Sequence, residues 1–326
     1  MLLLRMLPIA ALAALVALGP RPRVKGDPQP APPPDDLEAW LAAREGRFAD
    51  IVPGTEARIQ WADPATRART AWSVVYLHGF SGTRQEAAPL PERIAADLGA
   101  NLYEPRLSGH GRGADPLAEP TADDWLFDAA EAVLVGRRLG ERVLVLGVST
   151  GGTLGTWLAG TGRLGPQDVL VLLSPNYALP DSRAPMLLWP WGHLIVRAVE
   201  GEYRAWAPHN ADHARFWTTR YPSRALIPLQ ALLREVERLD FSAIVTPTLL
   251  LYGPEDQIID PSRTEQRFPE IGAAHKQMLP LLRGEDPDRH VLAGDILSPS
   301  GTEEALAAVR DFLLETNEES TSETVP

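Results

Sequence analysis

Val143-Leu144-Val145-Leu146-Gly147-Val148-Ser149-Thr150-Gly151-Gly152 is the stretch on which the fold turns. Its first four residues are apolar without a break, so they offer no polar face to water. Such a run suits a strand buried on both sides, as in a parallel sheet covered by helices. The pattern then changes abruptly: small residues crowd the junction, and Thr150–Gly160 reads as a helix. Val169-Leu170-Val171-Leu172-Leu173 repeats the apolar run. Working outward, strands are expected at Trp72–His78, Asn101–Glu104, Arg142–Gly147, Asp168–Leu173, Thr246–Tyr252 and Lys276–Pro280. Helices are expected at Arg84–Leu98, Thr121–Leu139, Thr150–Gly160 and Thr302–Leu314. Thr121, with Asp123 and Asp124 behind it, is a helix start that puts acids near the positive end of the helix dipole. Strand–helix alternation of this kind predicts an α/β fold with a doubly wound, mostly parallel sheet.

Residues 175–241 break the alternation. They are rich in Trp and Pro, show no strand, and hold one helical pattern at Leu226–Leu239. They read as a helical cap inserted into a core made of residues 36–174 and 242–314. Residues 1–19 carry Arg5 and then an apolar run from Met6 to Gly19, the n- and h-regions of a signal peptide. The run is short against the roughly 20 residues of a membrane span. Pro20 spoils cleavage after Gly19, and Arg21, Arg23 and Lys25 oppose simple export, so an uncleaved membrane anchor is the alternative. The expected location is therefore exported, periplasmic or extracellular, or membrane-anchored. It is cytoplasmic only if Met1 is not the true start. Residues 20–35 read as an extended Pro-rich linker with no core to join, and residues 315–326 as a disordered acidic tail.

Composition narrows the chemistry. Acidic residues outnumber basic ones, 43 to 31, for a net charge of −12. An acidic surface repels phosphate backbones, so nucleic acid is not an expected partner. There is no cysteine, which excludes disulfides, thiolate metal sites and cysteine nucleophiles. Gly147-Val148-Ser149-Thr150-Gly151 fits G-x-S-x-G, and its place between a buried strand and a helix is that of a nucleophile elbow. A serine hydroxyl needs a base to take its proton and donors to hold the oxyanion it creates. The Trp72–His78 strand ends in His78-Gly79-Phe80-Ser81-Gly82, a turn suited to one such donor, the Phe80 backbone N–H, with the Thr150 N–H as the other.

With Leu107-Ser108-Gly109-His110-Gly111 added, these motifs resemble α/β-hydrolases of the carboxylesterase and monoacylglycerol-lipase type, over roughly Val74–Leu313. The resemblance implies a chain order of nucleophile, acid, histidine. It carries the acid to Asp256, in the turn after Leu249-Leu250-Leu251-Tyr252-Gly253, with Glu255 and Asp260 as rivals by spacing. It carries the base to His290, in Asp288-Arg289-His290 ahead of the last helix. His78 and His110 lie in glycine-rich turns, His193, His209 and His213 in the cap, and His275 before the acidic loop.

The implied function is hydrolysis of a small-molecule carboxylic ester of small or medium acyl chain through an acyl-enzyme, with no cofactor and no metal. Alternatives on the same fold are a lipase acting on acylglycerols, a thioesterase, and an aminopeptidase using Glu200, Glu202 or Asp212 as an amine pocket. A catalytically inactive binding module is the alternative of a different class. Trp189, Trp191, Trp206 and Trp217 are candidate substrate-binding residues for an apolar acyl pocket, or else the cap's own core. The glycines of Gly109–Gly113 lack dinucleotide spacing, and the His209/His213 pair lacks the glutamate of a zinc-protease motif. Oligomeric state is not legible.

Overall fold

A computed structural model describes residues 18–322, with side chains through Thr316. The elements of the core are α1 (Leu37–Glu45), β1 (Arg58–Gln60), β2 (Thr70–Leu77), α2 (Leu90–Leu98), β3 (Asn101–Glu104), α3 (Ala122–Leu139), β4 (Gly140–Val148), α4 (Thr150–Gly160) and β5 (Val169–Leu173). The cap then supplies α5 (Gly192–Glu200), β6 (Tyr203–Ala205), α6 (Ala211–Phe216), β7 (Arg220–Pro222) and α7 (Leu226–Glu237). The core resumes with β8 (Thr248–Tyr252), α8 (Pro261–Arg267), β9 (Lys276–Pro280) and α9 (Pro299–Ser322).

Seven strands form one sheet in the order β1-β3-β2-β4-β5-β8-β9. All neighbours run parallel except β1, which is antiparallel to β3. The fold is the doubly wound α/β sheet that the alternation predicts. β4 and β5 are central, which is why their apolar runs need no polar face. One face packs on α1, α3, α4 and α7, the other on α2 and α9. Register in the centre is pinned by Asp168, whose fully buried carboxylate pairs with Arg137 and accepts the N–H groups of Val143 (3.0 Å) and Gly165 (2.8 Å). A buried carboxylate so completely satisfied fixes the β4–β5 approach at the start of the two strands, the end opposite Ser149.

Four expectations are corrected. The helix read at Arg84–Leu98 begins only at Leu90, because Pro89 and Pro91 can open a helix but not continue one. β1 was not visible: three residues, two of them polar, make a weak pattern, yet Arg58 pairs with Glu104 and Glu92 and anchors the edge. The cap contains strands, since β6 and β7 pair antiparallel with Arg220 stacked over the Tyr203 ring at 3.7 Å. The tail read from Glu315 is helical as far as Ser322. Strong helix formers such as Ala, Leu and Glu carry α9 onward, with Thr316 bonded back to the Phe312 carbonyl at 2.7 Å.

The Pro-rich segment at residues 20–35 holds no helix or strand, and against the expectation it does join the core. The Lys25 and Gly26 N–H groups donate to Asp123 (2.9 and 3.2 Å), Asp27 pairs with Arg163, and Val24 packs on the apolar cluster. Asp123 sits in the first turn of α3, where it was expected to serve only the helix dipole. The apolar run at residues 1–17 lies outside the described residues. No described helix is long and apolar enough to cross a membrane.

Candidate active site

Ser149 occupies the turn between β4 and α4 with φ 53° and ψ −116°, a conformation that L-residues avoid at a cost of about 1–3 kcal/mol. The neighbourhood holds it there. Its N–H donates to the Leu173 carbonyl (2.9 Å), while its own carbonyl accepts from Thr153 and Asn176 (both 3.1 Å). A Cβ on Gly147 would meet the Gly151 carbonyl at 2.5 Å, and one on Gly151 would overlap the Leu77 carbonyl. Only glycine lets strand, turn and helix close this tightly. Thr150 is the first residue of α4, and opening N–H groups of a helix have no acceptor within it.

The other two residues meet across a different pair of loops. Asp256 follows β8 in a tight turn, with its Oδ1 accepting from Ile258 (2.8 Å) and Ile259 (3.0 Å). Its Oδ2 lies 2.7 Å from His290 Nδ1. Nδ1–H therefore donates, and Nε2 keeps its lone pair. All three of Ser149, Asp256 and His290 are buried. The rivals to Asp256 are occupied elsewhere: Glu255 is exposed, and Asp260 caps α8 through the Ser262 N–H (3.1 Å).

A residue that sequence reasoning missed holds the His290 backbone. Asp286 Oδ2 accepts the N–H groups of His290 (3.0 Å) and Val291 (2.8 Å), while its own N–H donates to Ser298 Oγ (3.3 Å). The only signal was Asp286-Pro287-Asp288, a turn-forming tripeptide. The remaining histidines do other work. His78 Nδ1–H donates to the Gly79 carbonyl (3.0 Å) and Nε2 accepts the Leu107 N–H (3.2 Å), with burial lowering its pKa to about 4. His110 stacks edge-on with His78 and Phe80. His193 lies beside Trp191, and His275 packs on Phe312. His213 accepts the His209 N–H (3.3 Å), and His209 Nε2 faces Asp288 (3.2 Å).

The His78–Gly82 turn lies against the elbow: a Cβ on Gly79 would stand 3.1 Å from Ser149 Cβ. The cap grips both this turn and the histidine loop. Thr218 N–H donates to the Ser81 carbonyl (2.8 Å) and the Tyr221 ring meets Phe80 edge-on at 5.3 Å. Trp217 is buried with Val291 and Leu297, and Trp206 packs on the same cluster. The other two tryptophans lie apart. Trp189 is 55% exposed, and Trp191 sits at the outer edge, its N–H donating to the Pro20 carbonyl (3.0 Å). Tyr221, a cap aromatic that the sequence places beside the tryptophans but not among the candidate substrate-binding residues, touches the turn.

A family model described as the alpha/beta hydrolase family matches residues 74–308. The chain belongs to this family. Among curated relatives, the hydrolase is 25% identical over 223 residues to a thermostable monoacylglycerol lipase of Bacillus sp. (strain H-257), covering 68% of this chain and 84% of the relative. Among solved structures, it superposes on one from LipS and LipT, two metagenome-derived lipolytic enzymes, with TM-score 0.65 and 21% identity over 82% of this chain and 99% of that one. A monoacylglycerol lipase of Paleococcus ferrophilus gives TM-score 0.57 and 18% identity over 80% of this chain and 98% of that chain. The chain is thus a hydrolase whose relatives are of the esterase and lipase type.

With His290 as the base that the resemblance implies, its surroundings set an expected pH dependence. Burial disfavours the imidazolium, but the charge and hydrogen bond of Asp256, with Glu86 and Asp286 behind it, outweigh burial and raise the pKa above the ordinary histidine value. A base must be neutral to accept a proton. Activity is therefore expected to fall as pH drops through this raised pKa, so the acid limb of kcat/KM lies at higher pH than for an unperturbed histidine. A kcat/KM profile measured from pH 5 to 9 checks this, and an acid limb at or below the ordinary histidine range contradicts it.

Proposed function

We propose that the protein hydrolyses carboxylic esters of small or medium acyl chain through an acyl-enzyme on Ser149. The observation that carries the reading is the His290 Nδ1–Asp256 contact, which leaves Nε2 to act as a base, taken together with the strained elbow at Ser149. In the reaction, Ser149 Oγ bonds to the ester carbonyl carbon as its proton passes to His290. Asp256 stabilises the imidazolium and keeps the ring in the useful tautomer. The Phe80 and Thr150 N–H groups receive the oxyanion. The carbon–oxygen bond to the alcohol then breaks, and His290 gives its proton to the departing oxygen. Water, deprotonated by His290, attacks the acyl-enzyme and releases acid and serine. None of these steps calls for a metal or cofactor.

The curated relative is a monoacylglycerol lipase, which supports monoacylglycerol hydrolysis as a second reading. An aminopeptidase fits less well. Glu200 pairs with Arg204 and Glu202 with Arg197 at the surface, and Asp212 is exposed on α6, so these three acids form no buried amine site. An inactive binding module has no use for a satisfied Asp256–His290 pair.

A series of p-nitrophenyl esters from acetate to palmitate, run beside monoacylglycerols, a thioester and an aminoacyl amide, tests the proposal. Each buried methylene is worth about 0.8 kcal/mol, so kcat/KM should rise roughly tenfold for two added carbons until the site is full, then fall. Singly replacing Trp189, Trp191, Trp206 and Trp217 by alanine should shift this optimum most for Trp217 and Trp206, which pack beside His290, and least for Trp189. A profile identical in all four folded variants would remove the tryptophans from the specificity site.

A further inference from the structure

Glu86 has no part in the acyl-transfer scheme, yet its carboxylate lies inside the turn that scheme depends on. The residue is 2% exposed. Its Oε2 accepts the Gly79 N–H at 2.5 Å, and the Tyr76 hydroxyl lies 3.5 Å from the same oxygen. The turn wraps around it: a Cβ on Gly79 would stand 2.7 Å from Glu86 Oε1, and one on Gly82 3.2 Å from the same carboxyl group. That Gly79 Cβ would also be 3.1 Å from Ser149 Cβ. Carboxylate, glycine turn and nucleophile are therefore stacked directly on one another.

Two successive peptide planes of the turn are fixed as a result. The His78–Gly79 plane is held by its N–H on Glu86. The Gly79–Phe80 plane is held by its carbonyl, which accepts His78 Nδ1–H (3.0 Å) and the Gly82 N–H (3.2 Å). In a trans peptide the N–H points opposite to the C=O. With the Gly79 carbonyl turned into the loop, the Phe80 N–H is turned out of it. Removing the acceptor for Gly79 would free the first plane and leave a buried N–H unpaired.

We infer that Glu86 is a positioning residue for acyl transfer: it clamps the oxyanion turn through the Gly79 N–H and places a second negative charge near His290. The inference rests on the proposed roles of Ser149, His290 and the Phe80 N–H. The groups facing Glu86 are Tyr76 on β2, and His290 and Asp286 on the loop after β9. That loop packs on the Glu86 segment through the Asp295 N–H on the Ala88 carbonyl (2.8 Å) and through Gly294, where an added Cβ would overlap the Glu86 carbonyl. Burial raises the Glu86 pKa to about 7; the Gly79 N–H, His290 and Tyr76 pull it down, and Asp286 pushes it up. Glu86 in turn helps to raise His290. The two groups thus titrate as a coupled pair across neutral pH. As the pair takes up protons with falling pH, Glu86 loses the charge that supports the imidazolium.

Glu86→Leu and Glu86→Gln test this in the full-length protein, with folding checked by thermal melting. Glu86→Leu should lower kcat on a p-nitrophenyl ester on the order of 10- to 100-fold while KM changes little, because the turn acts on the transition state. Glu86→Gln keeps an oxygen able to accept the Gly79 N–H and should recover at least about fivefold of that loss. Its acid limb in kcat/KM should lie at lower pH than the wild type, because one charge favouring the imidazolium is gone. An NMR titration of the His290 imidazole reads the same displacement without any turnover. A folded Glu86→Leu with wild-type kcat overturns the clamp, and a His290 titration unmoved in Glu86→Gln overturns the charge coupling. If Glu86→Leu does not fold, the Glu86→Gln titration decides. A wild type that hydrolyses no ester speaks against the proposed function instead, and the titration still judges Glu86.

Discussion

Replacing Ser149 with alanine is expected to lower ester turnover on the order of 10⁶-fold, the scale found when a triad nucleophile is removed. The same change should abolish covalent labelling by an organophosphonate, because the chain has no cysteine to compete for the reagent. Folding should survive. Alanine takes no more room than serine in the turn, and the hydrogen bonds that hold the strained backbone come from the main chain of residue 149, not from its hydroxyl. Intact mass after labelling, beside kcat/KM on a chromogenic ester, measures both. Labelling that persists in the alanine variant would move the nucleophile elsewhere.

Asp256→Asn should be the next most damaging change, costing on the order of 10⁴-fold in kcat. An amide in that place can offer His290 Nδ1 an N–H, which favours the tautomer with its proton on Nε2, the atom required as base. The neighbouring acids are internal controls. Glu255→Gln alters an exposed side chain, and Asp260→Asn touches only the cap of α8, so both should stay within a fewfold of the wild type. Loss of turnover in Asp260→Asn with Asp256→Asn spared would reverse the assignment.

What the sequence made legible follows from how local each signal was. The β4 run and the elbow could be read because burial on both faces and the crowding of Gly147 and Gly151 impose residue types one by one. His290 and Asp256 were reachable through resemblance and chain order. Their contact at 2.7 Å brings together two loops 34 residues apart, which no periodicity encodes. Asp286 and Glu86 were missed for a shared reason. Each uses its carboxylate on main-chain N–H groups, so the partner carries no side-chain signature. Glu86 was also placed in a helix that tertiary structure postponed to Leu90. Trp189, Trp191, Trp206 and Trp217 looked alike as a composition, and only packing separates the two at the histidine loop from the two at the rim.

The grip of the cap on the two loops that the proposed mechanism uses bears on how this protein could be re-engineered. Thr218 and Tyr221 hold the turn at Ser81 and Phe80, while Trp206, Trp217 and Asn210 hold the loop that carries His290. A lid taken from another family member therefore cannot be treated as an interchangeable module that merely reshapes the entrance. A transplant that omits these five contacts would release both loops, and the chimera is expected to lose rate before it gains any new selectivity. Conversely, a graft confined to residues 181–200 leaves all five residues and the β6–β7 pair in place, and that segment is where diversification is expected to disturb the two loops least.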